Sequence, residues 1–333
     1  MKRIIYSVMA VILAFVVTAC GTKSEDKKEM AKDLKKVDLI LDWTPNTNHT
    51  GLYVAKEKGY LAEVGIDLDI KLPPEDSSSD LVINNKAPFA IYFQDSMANK
   101  IAKGAEISAV AAIIENNTSG VISTKSAEIK EPKDLVGKKY GTWNDPIELA
   151  MIKNIVEKQN GDFSKVELVP NTDSNSVTSI ENKLFEAAWI FYAWDGIMAK
   201  NMGLDTNFFY LKDFAEELNY YSPVIIANNT YLKENKEEAK KVLQAIKKGY
   251  QYAIDNPEES ADILIKYAPE LKEKRDFVVE SQKYLAKQYA TNKDKWGEID
   301  PVRWNKFYKW VNDNKITEVP LKENAGFTNE YIK

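Results

Sequence analysis

The chain has 333 residues, with 50 acidic and 45 basic side chains, a formal charge of −5, and lysines that alternate with glutamates and aspartates along its helical stretches. That alternation is the pattern of solvated helix faces, and it leaves no basic patch of the kind that nucleic acid needs. A single cysteine excludes an internal disulfide framework, and the length fits one large or two medium domains.

The first element is a leader. Met1-Lys2-Arg3 is basic, 4–17 is almost wholly apolar, and Val17-Thr18-Ala19 supplies small residues before Cys20. The apolar run is too short to span a bilayer comfortably, so a signal peptide over 1–19 is expected. Cys20 sits where the lipobox of bacterial lipoproteins places its acylated cysteine. The resemblance implies cleavage before Cys20, palmitate or a similar acyl chain on it, and anchoring on the extracytoplasmic face of the cell membrane. Removal of Lys2 and Arg3 makes the mature chain more acidic still. Residues 20–36 are densely charged and lack turn chemistry, which predicts a lipid-anchored tether. No second apolar run approaches the length of a membrane span.

From residue 37 onward, strand and helix patterns alternate, the signature of an α/β fold. Strands are predicted at 37–41, 66–72, 89–92, 107–114, 121–123, 139–142, 166–169, 187–192, 208–211 and 224–227. Helices are predicted at 49–58, 79–85, 95–103, 146–158, 176–185 and 195–202. After Asn228 the pattern becomes helical, with runs at 237–254, 258–267, 275–289 and 302–311. On the last of these, Trp304, Phe307, Tyr308 and Val311 recur at helical spacing and are assigned to packing. Segments 116–120 and 219–223 lack periodicity and read as two crossings between lobes. Lobe 1 is then 37–118 plus 222–333, and lobe 2 is 119–221, a hinged clamp with its ligand site in the cleft.

Five groups should face that cleft. Asp42 to Gly51 is a strand-to-helix turn holding Trp43, Asn46 and the sole histidine, His49, a set suited to a flat, nitrogen-rich ligand. Tyr92 ends another strand before a helix. Trp143 and Asn144 precede an Asp145 cap with Pro146 at the first helical position, so Asp145 and Glu148 are assigned to structure. In Trp189 to Gly196, alternation puts Tyr192 and Trp194 on one face, with a helix starting near Asp195. One of those two aromatics is expected to be packing. At the hinge, Glu115, Asn117 and Tyr221 could reach the ligand. Glu115 is read either as a carboxylate accepting hydrogen bonds from an amino group and a ring nitrogen, or as half of a salt bridge to a lysine.

The motif Trp-x-Pro-Asn-Thr-Asn-His-Thr-Gly at 43–51 is similar to the opening motif of bacterial lipoproteins that bind thiamine pyrimidine precursors for ABC importers. The segment 121–143 with Pro132-Lys133-Asp134-Leu135-Val136-Gly137-Lys138-Lys139, then Tyr192-Ala193-Trp194-Asp195-Gly196 and Phe209-Tyr210-Leu211-Lys212-Asp213, resemble the same family, and the likeness covers nearly all of 37–315. It implies a two-lobed periplasmic-binding-protein-like fold of type II closing on a formylaminopyrimidine or hydroxymethylpyrimidine. Trp43, Asn46, His49 and Tyr92 would come from one lobe, and Trp143, Asn144, Tyr192 and Trp194 from the other. It further implies a monomer with no cofactor, no metal and no catalysis, whose partners are a permease and its ATPase and whose only membrane contact is the lipid.

The same superfamily includes a fungal enzyme that makes the thiamine pyrimidine from bound pyridoxal phosphate and its own histidine, with which His49 aligns. Thr44 stands where that enzyme has a lysine, so no Schiff base can form there. His49 is then either a ligand contact or a brace for the turn. Within the binding class, riboflavin or another flat heterocycle is the alternative ligand. An alkanesulfonate would want an arginine or a bare helix N-terminus, and Arg275 and Arg303 both lie in the helical tail. A surface scaffold without a small ligand is the remaining class.

Overall fold

Short apolar runs build ten strands, sorted into two five-stranded sheets with the same plan. The computed structural model describes residues 34–74, 77–172 and 175–333; the leader, Cys20 and the tether as far as residue 33 lie outside the described residues. The first sheet has the order β2-β1-β3-β10-β4, with β1 at Lys35–Ile40, β2 at Ile66–Lys71, β3 at Phe89–Tyr92, β4 at Ile107–Ala112 and β10 at Val224–Asn228. The second has the order β7-β6-β8-β5-β9, with β5 at Ser119–Thr124, β6 at Lys139–Thr142, β7 at Glu167–Pro170, β8 at Ala187–Phe191 and β9 at Thr206–Tyr210.

In each sheet one antiparallel strand, β10 or β5, is inserted beside the outermost parallel strand. The inserted strands adjoin the two passages of the chain between sheets, one before β5 and one before β10. The fold is therefore α/β and two-lobed, hinged by two crossing segments, with a helical C-terminal region formed by Lys236–Asp255, Pro257–Tyr267, Arg275–Leu285 and Pro301–Asp313.

Most predicted elements are present, and the departures have local causes. The tether ends two residues early, because Lys35 and Lys36 pair with Ile66 and Asp67 while their side chains stay exposed. Main-chain pairing does not need apolar side chains at a strand's frayed end. The strand expected to reach residue 114 stops at Ala112, whose N–H donates instead to the Gly297 carbonyl. The helix predicted at 176–185 stops at Glu181, and Lys183 takes a left-handed conformation at φ 60°. The helix expected at 275–289 ends at Leu285.

The tail helices set the first lobe's core. Helix Lys236–Asp255 crosses helix Thr50–Glu57 so closely that a Cβ on Gly51 would lie 2.3 Å from the Tyr250 ring, and one on Gly249 would lie 2.1 Å from the Gly51 carbonyl oxygen. The glycine that closes the 43–51 motif is thus a packing requirement. Trp304, Phe307, Tyr308 and Val311 are buried, with Trp304 edge-on to Tyr308 at 5.2 Å.

Candidate functional site

After β1 the chain turns through Asp42-Trp43-Thr44-Pro45 into a 3-10 turn at Thr47–His49. Asn46 is its cap: the Asn46 side-chain oxygen accepts the Asn48 N–H at 2.9 Å, and the Asn46 N–H donates to His49 Nδ1 at 3.3 Å. Because Nδ1 accepts, the imidazole proton sits on Nε2, which donates to Asp42 Oδ1 at 2.6 Å. His49 is fully buried with both nitrogens engaged. It braces the turn from within.

Two tail tyrosines hold the turn from behind, Tyr250 donating to the Asn48 carbonyl at 2.7 Å and Tyr289 to the Thr47 carbonyl at 2.5 Å. Trp43 is left 43% exposed.

The second lobe offers a matching turn after β6. Asp145 caps helix Pro146–Lys158, accepting the N–H groups of Ile147 at 2.7 Å and Glu148 at 3.2 Å. Glu148 is buried and accepts from the Tyr140 hydroxyl, the Thr142 hydroxyl and the Trp143 N–H at 2.9 to 3.0 Å. Burial raises its pKa, and those hydrogen bonds oppose the rise. Both carboxylates serve structure, and Trp143 is pinned by its backbone while its indole stays 47% exposed.

After β8 the chain does not remain extended. It enters a π-helical turn at Tyr192–Gly196, so Tyr192 and Trp194 do not share a strand face. Tyr192 packs on Phe208 at 4.8 Å and on Tyr284 at 5.3 Å, over Gly196, where a Cβ would lie 2.4 Å from its ring. Trp194 meets Phe277 edge-on at 4.6 Å.

These turns enclose a cavity of about 260 Å³ just beyond the carboxyl ends of β1, β3, β6 and β8. That is where open α/β sheets bind ligands. Its first-lobe wall is Asp42, Trp43, Asn46, Asn48, Phe93 and Pro223; its second-lobe wall is Trp143, Ser176, Ile190, Phe191, Trp194 and Asp195. Burial pushes the Asp195 carboxyl up to about 6, with main-chain hydrogen bonds at Phe191 and at Asp195 itself opposing. Deeper in, Asp95 is also raised to about 6, chiefly by burial and with Asp145 adding repulsion. Larger cavities of about 410 Å³ at the hinge and 710 Å³ beside helix Pro301–Asp313 are lined by no residue of these turns. Among the described residues no cluster of three or more His, Cys, Asp or Glu is placed to hold a metal, and no helix is long and apolar enough to cross a membrane.

Of the twelve residues singled out from the sequence, the cavity gathers Trp43, Asn46, Trp143, Trp194 and Asp195. His49 lies behind its turn, and Tyr192 is packed away by the π-helical turn. Tyr92 gives its place in the wall to Phe93, whose ring is 5.8 Å away. Asn144 is exposed in a left-handed turn at φ 61°, its N–H bonded to the Thr142 hydroxyl.

The hinge residues are used by the hinge. Glu115 accepts the Thr291 N–H, a main-chain group and not a lysine. Asn117 donates to the Tyr220 carbonyl at 3.1 Å, and the Tyr221 hydroxyl accepts the Asp300 N–H at 3.0 Å. Asp42, Asn48 and Phe191 also line the cavity, each inside a segment whose other residues pattern singles out, and Phe93 lines it directly after Tyr92. Ser176 and Pro223 carried no such signal.

The family described as NMT1/THI5 like matches residues 46–260, from the Asn46 turn through both walls of the cavity. The chain belongs to this family. An NMT1/THI5-like relative, the formylaminopyrimidine-binding protein of Halalkalibacterium halodurans, is 25% identical over 97% of this chain and 98% of its own. A second, a 4-amino-5-hydroxymethyl-2-methylpyrimidine phosphate synthase of Saccharomyces cerevisiae, is 22% identical over 89% of this chain and 88% of that one. The fold is that of the periplasmic aliphatic sulphonate binding protein of Escherichia coli. That structure superposes with a TM-score of 0.65 at 12% identity, covering 86% of this chain and 89% of that one.

Proposed function

We propose that this NMT1/THI5-like protein is a non-catalytic, extracytoplasmic solute-binding protein of an ABC importer, and that it captures a thiamine pyrimidine precursor between its lobes. The observation that carries the reading is one small cavity into which the two lobes turn half-exposed indoles, Trp43 and Trp143, beside the half-buried carboxyl of Asp195. Large aromatics that converge on one concavity are what ligand sites contain, and both indoles line this cavity. Each stacked ring adds ~0.5–1.5 kcal/mol beyond the area it buries.

Asp195 would accept the exocyclic amino group of an aminopyrimidine with one oxygen and share a single proton with the adjacent ring nitrogen through the other. A carboxyl near 6 can hold or yield that proton at ordinary pH. Asn46 and Asn48 would select among ring substituents, since a mismatched ligand leaves buried polar groups unpaired at ~1–3 kcal/mol each.

The cavity size favours one ring. At about 260 Å³ it falls below the roughly 300–1,000 Å³ of sites for drug-sized ligands, which favours a single ring over the three fused rings and side chain of riboflavin. Neither arginine of the tail lines it: Arg275 pairs with Asp262 at 2.7 and 2.8 Å, and Arg303 holds Asn219, which speaks against a sulfonate. The enzyme reading is disfavoured by His49, whose two nitrogens are both occupied, and by Thr44 in place of a Schiff-base lysine.

In this reading the segments 37–118 with 222–333 and 119–221 are the two moving bodies, Cys20 carries the lipid, and a monomer delivers its ligand to the permease and its ATPase. Calorimetry with hydroxymethylpyrimidine, formylaminopyrimidine, riboflavin and an alkanesulfonate tests the assignment. Binding of the pyrimidines alone is expected, and a tighter riboflavin or sulfonate complex refutes it. A lipid-bearing peptide beginning at Cys20 in the mass spectrum of membrane-extracted protein tests the anchor, and an unmodified Cys20 refutes it.

A further inference from the structure

Helix Arg275–Leu285 belongs to the first lobe by packing. Val278 and Leu285 share its core with Leu39 and Leu52. Yet the polar contacts of one face of this helix run to the second lobe. Phe277, Glu280, Ser281 and Tyr284 recur at three- and four-residue spacing, which places them on a single stripe. We propose that this stripe is an interlobe latch, and that Ser281 is a positioning residue that sets the two cavity walls in register in the closed state.

Two hydroxyls and a carbonyl form one hydrogen-bonded chain at its centre. Ser281 Oγ donates to the Ala193 carbonyl at 2.5 Å, and it lies 2.7 Å from Thr47 Oγ1. A serine hydroxyl has one hydrogen, so its oxygen must accept from Thr47, and the direction Thr47 to Ser281 to Ala193 is fixed. Thr47 sits between Asn46 and Asn48 in the first wall, and Ala193 precedes Trp194 and Asp195 in the second. All three links are buried. The chain therefore ties the back of one wall to the back of the other through a third element.

Two further contacts flank it. Tyr284 and Tyr210 share a hydroxyl hydrogen bond at 2.7 Å, and Glu280 pairs with Lys200 and accepts from Asn201 Nδ2 at 3.0 Å. Phe277 edges against Trp194, a wall residue itself. Parting the lobes breaks every one of these links at once, so the stripe opposes opening whether or not a ligand is present.

The closing step can be read without any ligand, although its effect on affinity rests on the pyrimidine-binding reading. In full-length chain carrying Cys20→Ser, spin labels at Lys86→Cys and Lys183→Cys report lobe separation by double electron–electron resonance; both sites are exposed, one in each lobe. The unligated protein is expected to hold a closed population, and Ser281→Ala to lower it at least threefold. Hydroxymethylpyrimidine should bind Ser281→Ala about tenfold more weakly, the scale of one buried hydrogen bond, through faster dissociation and with little change in association.

Tyr284→Phe and Glu280→Gln, at the less buried edge of the stripe, carry the same test if Ser281→Ala does not fold, each with a smaller shift in the same direction. Equal closed populations in the parent and the variants overturn the latch, even if melting temperatures fall. A lower closed population in the variants with no pyrimidine binding by any form keeps the latch and overturns the ligand.

Discussion

The sharpest test of the cavity is Asp195→Asn read across pH. Burial raises the Asp195 carboxyl from its ordinary value of 3.8 to about 6. Such a group stabilises the fold in its protonated form. Its contribution is full below about pH 4 and is lost as pH rises through about 6, by at most roughly 3 kcal/mol for two units at 1.36 kcal/mol each. Asparagine cannot ionise, so Asp195→Asn should be more stable than the parent at pH 8 and indistinguishable from it near pH 4. Asp95, also near 6, keeps a residual slope in both proteins, so the difference between them is the diagnostic.

Binding follows the same proton. The complex of a neutral aminopyrimidine holds one proton between ring and carboxyl, and above about pH 6 that proton must be taken from solvent. The Kd should then rise toward tenfold per pH unit, or roughly 50-fold from pH 6 to 8, about 2.3 kcal/mol. Calorimetry in buffers of different ionisation enthalpy counts the proton directly, with one taken up at pH 8 and fewer below pH 6. A parent protein with no proton uptake at pH 8, or an Asp195→Asn variant that keeps the full uptake, refutes the assignment of Asp195 to the ring.

Three other substitutions separate site from scaffold. Trp43→Ala should weaken pyrimidine binding by tenfold or more by calorimetry yet barely move the melting temperature, because its indole is already 43% exposed in the ligand-free protein. His49→Ala should instead cost roughly 1–3 kcal/mol in a denaturant titration, since it orphans the Asn46 N–H and leaves the Asp42 carboxylate without its donor. Gly51→Ala should cost roughly 1–3 kcal/mol by the same titration, through overpacking against the Tyr250 ring, with ligand affinity falling only as the turn is displaced.

The sheets were legible because four- to six-residue apolar runs and their flanking turns are local signals. Strands Phe89–Tyr92 and Lys139–Thr142 and helix Pro146–Lys158, with its Asp145 cap and Pro146 start, fall where pattern alone puts them. The site was half legible for the same reason. Turn residues next to a strand end, such as Trp43, Asn46 and Trp143, reach the cavity because their direction is set within the turn. Where direction depends on distant packing, pattern failed. Tyr192 and Trp194 separate because the chain coils at the end of β8, and the space for Tyr192 comes from Gly196, Phe208 and Tyr284. Glu115 and Tyr221 look like cleft residues until residues 288–300 fold back to bond them, and Asn117 until the returning crossing brings Asn219 and Tyr220 to it.

The tail explains what the motif residues at the cavity do not. Three of its hydroxyls each donate to a main-chain carbonyl that lies directly behind the walls: Tyr289 to Thr47, Tyr250 to Asn48, and Ser281 to Ala193. Turns expose carbonyls that no helix or sheet ladder satisfies, and a buried unpaired carbonyl is costly. With those acceptors satisfied from behind, both turns can hold tight bends while Trp43, Asn48, Trp194 and Asp195 line the cavity at the front. Residues 46–51 and 192–196 therefore need donors supplied 88 to 242 residues further along the chain, and without the 236–290 helices the same turn sequences would have no fixed geometry to present.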